Sequence, residues 1–510
     1  MPRNLVICCD GTWCTPEQEM GSLPCPTNVV KLHNLCLADD QQLTYYHPGV
    51  GAEGTLLERV LGGGIGLGLC RNILSAYRWL CVHYHTEDQI FLFGFSRGAY
   101  TVRSLGGLVA RCGLLDLSAT SERRAWELIE KVYDRGYRKR QALAGWSAGC
   151  RFLEGDLPDG QVGIHLIGVW DTVGSLGVPD DLVLLDQLLD QPRKYRFHDT
   201  ELSARVRHGR HALAIDERRA SFAPTLWTGG PRPADGSLQQ IWFPGTHSDV
   251  GGGYAECGLS DGALKWMIDE ASALGLRVNQ ALARQLAPDP RGLLHDSATG
   301  VWKHLRTLPR AVPLLARSNV GTHLAPQVWE RHRLPPLMQA PYWPTRVLRP
   351  GQSASVPVYA REHWNASGLY LEAGVSYDFA ASGEWLDSNI ACGPAGNEDG
   401  KFNIGEVAYL FGNAIGEAEG IYQRLTGKQG SDWWGSRRRE DAAWFALIGM
   451  IANQPNMDAS GTAIEGQTFV IGERVQVTPE RSGYLYCYAN DAWKFYGNNR
   501  GHVTLTVSRA

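Results

Sequence analysis

The chain has 510 residues, of which 44% are hydrophobic and 20% charged, with a formal net charge of −4. That length holds two or three domains with large cores. The near-balanced charge leaves no electrostatic footprint for a polyanion, so a nucleic-acid partner is not expected. The 12 cysteines are scattered without a CxxC pair and read as reduced core residues rather than a disulfide frame. Only the apolar run Leu5 to Cys9 separates Met-Pro-Arg-Asn from Asp10, too short for a signal-peptide core. Synthesis in the cytoplasm is therefore expected, and any export would use a route that needs no signal peptide. Leu61 to Cys70 is apolar but about half the length that spans a bilayer.

Leu5 to Cys9 is the first expected strand, ending at Asp10-Gly11-Thr12-Trp13. Asp-Gly-Thr after a strand also suggests a phosphotransferase of the haloacid dehalogenase type, but that chemistry needs an aspartate where Cys8 stands. Asp10 reads instead as a turn cap, and the amide of Gly11 or Thr12 as an oxyanion donor. Leu43 to Tyr46 is a second strand, followed by Pro48-Gly49-Val50-Gly51. The run Leu61 to Leu69 carries five glycines but lacks the Gly-Lys-Ser/Thr ending of a phosphate loop. It is expected to wall an acyl pocket and to lead into a helix from Ile73 to Val82. His83 and His85 have no third ligand nearby and read as structural.

The centre of the pattern is Asp88 to Tyr100. A short apolar run, Ile90 to Phe93, passes through Gly94-Phe95-Ser96-Arg97-Gly98 into a helical pattern, Val102, Leu105, Leu108, Val109 and Cys112. Strand, tight turn with a central serine, then helix is the layout of a nucleophile elbow. Gly94 and Gly98 would let strand and helix pack closely, and the Arg97 amide would face a developing oxyanion. Residues 120–145 read as a basic helical cover. Ile164 to Trp170 is the next strand, ending at Asp171; 178–210 is long enough for a lid. His211 to Ile215 ends at Asp216, and Gln239 to Phe243 is followed by the glycine-rich loop carrying His247. The order Ser96, Asp171, His247 is the α/β-hydrolase order of nucleophile, acid and base. Two other acids compete for the middle role. Asp249 reads as a support for the loop backbone, and Asp216 as a strand-end rival that could pair with Arg218 or Arg219.

Pro335, Pro336, Pro341, Pro344 and Pro350 mark a stiff boundary. Beyond it, Leu369 to Phe379, Thr468 to Val477, Gly483 to Tyr488 and His502 to Val507 read as strands separated by Gly, Asn and Ser turns. The expected fold class is thus α/β followed by all-β: an α/β-hydrolase domain with a mostly parallel sheet over 1–330, a Pro-rich linker over 331–355, and a β-sandwich over 356–510. Helical patterning interrupts the sandwich at about 403–445. The stretch Tyr488 to Gly501 brings an aspartate near paired amides. That arrangement could gather hard oxygens around a Ca²⁺ ion, or could be a hairpin whose Asn and Gly only supply positive φ.

Six motifs in order, Cys9 to Trp13, Pro48 to Gly51, Gly94 to Tyr100, Val169 to Gly174, Ala214 to Arg218 and Phe243 to Tyr254, resemble an α/β-hydrolase family that includes phospholipase effectors of bacterial type VI secretion. The resemblance implies a Ser-Asp-His esterase acting on lipid esters, with glycerophospholipids the leading class and peripheral membrane contact. No cofactor is expected for catalysis. The stretch 356–510 resembles the calcium-dependent galactophilic lectin of the PA-I type, through Ser482-Gly483-Tyr484-Leu485, Asn490-Asp491, Tyr496-Gly497-Asn498-Asn499-x-Gly501 and Gly393-Pro394-x-Gly396. By that resemblance Asp491, Asn498 and Asn499 would bind Ca²⁺ with side chains and Phe495 with its carbonyl, and a glycan would complete the shell. The loop Asn397 to Gly400 lacks that family's histidine. Two other readings stand beside the first: a glycan-ester deacylase, and a non-catalytic glycan-binding protein on a hydrolase scaffold.

Overall fold

The computed structural model describes residues 2–11, 19–20, 22–49, 64–153, 162–173, 201–228, 234–304, 306–387, 389–397, 438–453, 465–493 and 495–510. They form two compact units that divide between Tyr342 and Trp343, inside the proline-rich stretch. Among the described residues no helix is long and apolar enough to cross a membrane, and every cysteine is a free thiol.

The first unit is built on six strands: β1 (Asn4–Cys9), β2 (Gln42–His47), β3 (Gln89–Phe95), β4 (Ile164–Trp170), β5 (Val206–Ala214) and β6 (Ser237–Phe243). They pair in the order β2-β1-β3-β4-β5-β6, and every pairing is parallel. All six residues of β1 are buried, as are the last six of β3. A parallel sheet covered on both faces demands such continuous apolar runs, and each fully buried Leu, Ile, Val or Phe contributes about 1.5–3 kcal/mol. The covering helices include α1 (Asn28–Leu35), capped by Thr27 on the Val30 amide, α2 (Gly64–His83), α3 (Arg97–Cys112) and α4 (Glu122–Lys131). After β6 come the short α5 (His247–Gly251) and α6 (Gly258–Ala273). Further on, α7 (Pro326–Arg333) closes the series described here. The apolar positions expected along α3 are all buried. Strand order reverses about β1 and β3, the place where open parallel sheets leave a crevice beyond their C-terminal ends.

One local expectation changes. α2 begins at Gly64, nine positions before the expected Ile73. The later part of the glycine-rich run is therefore helix; 61–63 lie outside the described residues. Residues 178–200, most of the expected lid, also lie outside them. His83 and His85 do take structural partners. His83 bonds the Trp79 carbonyl and stacks on that indole, and the His85 amide donates to Asp88.

The second unit is antiparallel. One sheet runs β8 (Asn365–Leu371), β15 (Gly483–Ala489), β12 (Leu447–Ala452), β13 (Gln467–Val470). The other runs β11 (Ile390–Cys392), β10 (Trp385–Asp387), β16 (Asn499–Arg509), β9 (Tyr377–Ser382), β14 (Arg474–Val477), with β7 (Ser353–Tyr359) also on β16. One buried cluster draws Leu371, Leu447, Leu485 and Cys487 from the first sheet and Phe379, Trp385, Val503, Leu505 and Val507 from the second. In β16 the alternate residues Val503, Leu505 and Val507 supply that cluster, the period of two that a half-buried strand requires. The expected single strands over 369–379 and 468–477 are each two strands, because Gly374 and Gly472 turn the chain at positive φ. Of the expected helical insertion, 403–437 lies outside the described residues.

Candidate active site

Four strand ends carry the site. Cys9 leads into Asp10 at the end of β1, Phe95 into Ser96 at the end of β3, Trp170 into Asp171 at the end of β4, and β6 into the loop that opens α5 with His247. Ser96 has φ 56° and ψ −121°, and Asp171 has φ 36°. Such backbone costs a non-glycine residue about 1–3 kcal/mol and persists only where the surroundings fix it. Here they do. The Ser96 amide donates to the Trp170 carbonyl, and the Asp171 amide to that of Ala212. A methyl group on Gly98 would overlap the Cys9 carbonyl, and one on Gly94 would overlap that of Gly98. Gly98 therefore lets helix α3 start directly on strand β1, and Gly94 lets it pack against β3.

His247 Nδ1 lies 2.6 Å from Asp171 Oδ2, both side chains being buried. The Phe95 ring, next to Ser96, lies 4.6 Å from the imidazole, and Phe222 meets its other side edge-on at 4.9 Å. Burial pushes His247 below its ordinary value; the bond to Asp171 opposes this without reversing it. Burial would raise Asp171, but the Arg310 charge and the bonds from His247 and Arg310 outweigh it and hold the carboxyl well below the usual range. The acid therefore stays ionised and the imidazole neutral near pH 7. An ionised Oδ2 can only accept, so Nδ1 carries the proton and Nε2 keeps its lone pair.

The rival acids have other partners. Asp216 accepts the Gly245 amide at 2.7 Å and the Tyr342 hydroxyl at 2.9 Å. The two arginines expected beside it have other acids: Arg218 pairs with Asp296 and Arg219 with Glu217. Asp249 closes a capping box with Thr246 at the start of α5 and binds His295 Nδ1 at 2.6 Å. Asp10 holds its turn, accepting from Thr27 Oγ1 at 2.7 Å and the Tyr46 hydroxyl at 2.9 Å. The Gly11 amide donates to Asp10 Oδ1 at 2.7 Å, which turns it away from an oxyanion. Thr12, the other expected donor of that turn, lies outside the described residues. Arg97 opens the first turn of α3.

Sequence reasoning missed Glu217 and Arg310, and gave Arg219 to Asp216 where the structure pairs it with Glu217. Glu217 is buried and receives Arg219, the Ser297 hydroxyl and the His247 amide. Burial would raise it, but Arg219 brings it down to about 2. The motif Ala214 to Arg218 pointed at this strand end, although at Asp216 rather than its neighbour.

The family described as T6SS phospholipase effector Tle1-like, catalytic domain, matches residues 3–270. The chain belongs to that family. This Tle1-like chain is 32% identical over 246 residues to an uncharacterized protein of Saccharomyces cerevisiae, YEL023C, covering 45% of the chain and 33% of that protein. It thus spans about a third of that relative's length. A crystal structure of an uncharacterized protein from Pseudomonas aeruginosa covers 57% of the Tle1-like chain and 49% of its own, at 17% identity and a TM-score of 0.33. The N-terminal domain of EclA, a PllA-like lectin, covers 31% and 95% respectively, at 15% identity and a TM-score of 0.18.

The second unit of the Tle1-like chain carries the expected calcium residues in one place. Asp491 is buried; Oδ1 takes the Ala492 amide at 2.7 Å and Oδ2 takes Asn499 Nδ2 at 2.8 Å. Asn498 Nδ2 donates to Asp387 Oδ1 at 3.0 Å, and the Phe495 carbonyl accepts the Asn498 amide at 3.3 Å. The amide oxygens of Asn498 and Asn499 are buried without a hydrogen-bond partner. Unsatisfied buried acceptors are costly, and burial pushes Asp491 up to about 7, with Asp387 adding to the rise. A hard cation that takes oxygen ligands would answer both defects, so the donor set fits Ca²⁺. Asp387 was not singled out in the sequence because its strand, β10, is only three residues long.

Proposed function

We propose that the chain is a serine hydrolase of lipid esters, with phospholipids as the substrate class, on an α/β-hydrolase fold. One observation carries the reading: the buried His247–Asp171 pair stands at the strand ends beside a serine held at positive φ. Ser96 Oγ attacks the ester carbonyl carbon while His247 Nε2 takes its proton. Asp171 fixes the tautomer and stabilises the imidazolium that forms. His247 returns the proton to the leaving alcohol, and a water then cleaves the acyl-Ser96 ester by the same proton path in reverse. The amides of Arg97 and Thr12 are assigned to the developing oxyanion. Asp10 and Asp249 hold the two loops.

The second unit is assigned to Ca²⁺-dependent glycan binding, with Asp491, Asn498, Asn499 and the Phe495 carbonyl as ligands; the bound ion would supply positive charge for sugar hydroxyls. Such a module would hold the enzyme at a glycan-bearing membrane surface and raise its local concentration there. Delivery by type VI secretion is the route the family description suggests.

The test is one panel run with wild type and Ser96→Ala: short p-nitrophenyl esters, triacylglycerol, phospholipid vesicles and an acetylated glycan. Phospholipid turnover that disappears in Ser96→Ala supports the reading. Turnover of the glycan ester alone makes the protein a deacylase. No turnover of any substrate leaves a binding protein on a hydrolase scaffold.

A further inference from the structure

Arg310 lies beyond residues 3–270 that match the family, yet it touches the centre of the site. The extended segment before it runs beside 218–220: the Ala220 amide donates to the Arg306 carbonyl and the Leu308 amide to that of Arg218. This brings a buried guanidinium under Asp171. Nη1 donates to Asp171 Oδ1 at 2.7 Å and to the Ala214 carbonyl at 2.6 Å. Nη2 donates to Asp171 Oδ2 at 2.9 Å and to the Phe222 carbonyl at 2.6 Å. The other two donors to the carboxylate are the Ala214 amide at 3.0 Å and His247 Nδ1. One planar fork thus fixes both oxygens of the acid, the end of β5, and the turn whose Phe222 ring lies against His247.

We propose that Arg310 is a positioning residue for the hydrolytic step: it holds the Asp171 carboxylate at the angle His247 needs and balances its charge, so that His247 rests as a neutral base. The inference rests on the Ser96–His247–Asp171 reading. A buried carboxylate without a counter-charge is strongly unfavourable. With Arg310 gone, the nearest group able to supply that charge is His247 itself, by keeping a proton. The other charged groups facing His247 are Glu217, whose Oε2 accepts its amide at 3.2 Å, and Arg219, which is paired with Glu217. His211, next along, accepts the Thr172 amide through Nε2 and is held neutral, down to about 3, chiefly by burial. None of these replaces a cation lost from Asp171.

The experiment measures kcat and KM against pH for wild type, Arg310→Met, Arg310→Lys and Ser96→Ala on a soluble short-chain p-nitrophenyl ester, with thermal unfolding as the control for folding. Arg310→Met is expected to lower kcat roughly 100-fold at pH 7, as for a misplaced catalytic group, with KM little changed. Its acid limb should move up by about one pH unit or more. Arg310→Lys keeps the charge but not the fork: its limb should stay within about half a unit of wild type while kcat falls roughly tenfold. A folded Arg310→Met with the wild-type limb and kcat overturns the proposal. If the methionine variant does not fold, an unchanged kcat in folded Arg310→Lys overturns it. Activity surviving in Ser96→Ala would instead sink the triad reading, whatever the Arg310 variants do.

Discussion

The two units handle buried acids in opposite ways. Asp171 accepts four hydrogen bonds from protein groups, two of them from a guanidinium. Glu217 beside it is answered by Arg219. Among the described residues the Asp491 carboxylate in the second unit takes an amide proton and an asparagine, and the amide oxygens of Asn498 and Asn499 find no partner. The first site carries its own counter-charges and is preorganised without help. On the reading proposed above, a cation would complete the second. Catalysis by the first unit should therefore be independent of calcium, and the stability of the second should not be.

Ser96→Ala would break that contrast most forcefully if it left activity intact. The expected loss in kcat is about 10³-fold or more, with calcium affinity by titration calorimetry unchanged. Next comes Gly98→Ala, whose methyl would overlap the Cys9 carbonyl. Backbone cannot move aside cheaply there, so the first unit is expected to lose several degrees of Tm and most of its activity, read by calorimetry and ester hydrolysis. Asp491→Ala should abolish the calcium-induced rise in Tm, about 2.7 kcal/mol of stabilisation at a hundredfold excess over Kd. Turnover of a soluble ester should be unaffected; a fall would mean that the two sites are coupled. In wild type, His247 held below its ordinary value places the acid limb of kcat/KM below about pH 6.5. Activity is lost as pH falls through the lowered value and the base takes a proton, and a limb above that point would contradict the burial argument. The smallest effect is for Tyr342→Phe, which removes one hydrogen bond to Asp216 and should cost about 1 kcal/mol in urea unfolding with kcat unchanged.

What was legible follows the same division. β1, β3 and β4 could be found because a parallel sheet buried on both faces writes unbroken apolar runs, and the elbow because its glycines lie two residues either side of its serine. Asp171 and His247 were visible as polar residues at strand ends. Arg310 was not: it meets Asp171 across 139 positions, and nothing in an irregular segment between Thr307 and Val312 marks one arginine as buried. Glu217 was masked by Asp216, since an acid at either position looks alike until the turn is built. In the second unit β12 went unseen because its apolar run directly follows a stretch read as helix.

The positive φ at Ser96 has a consequence for any attempt to improve this protein by heat. Glycine would relax that turn and recover some of the roughly 1–3 kcal/mol held there, while removing the proposed nucleophile. A library ranked only on thermal tolerance should therefore enrich Ser96→Gly, and its hardiest survivors would be enzymes that no longer cut anything.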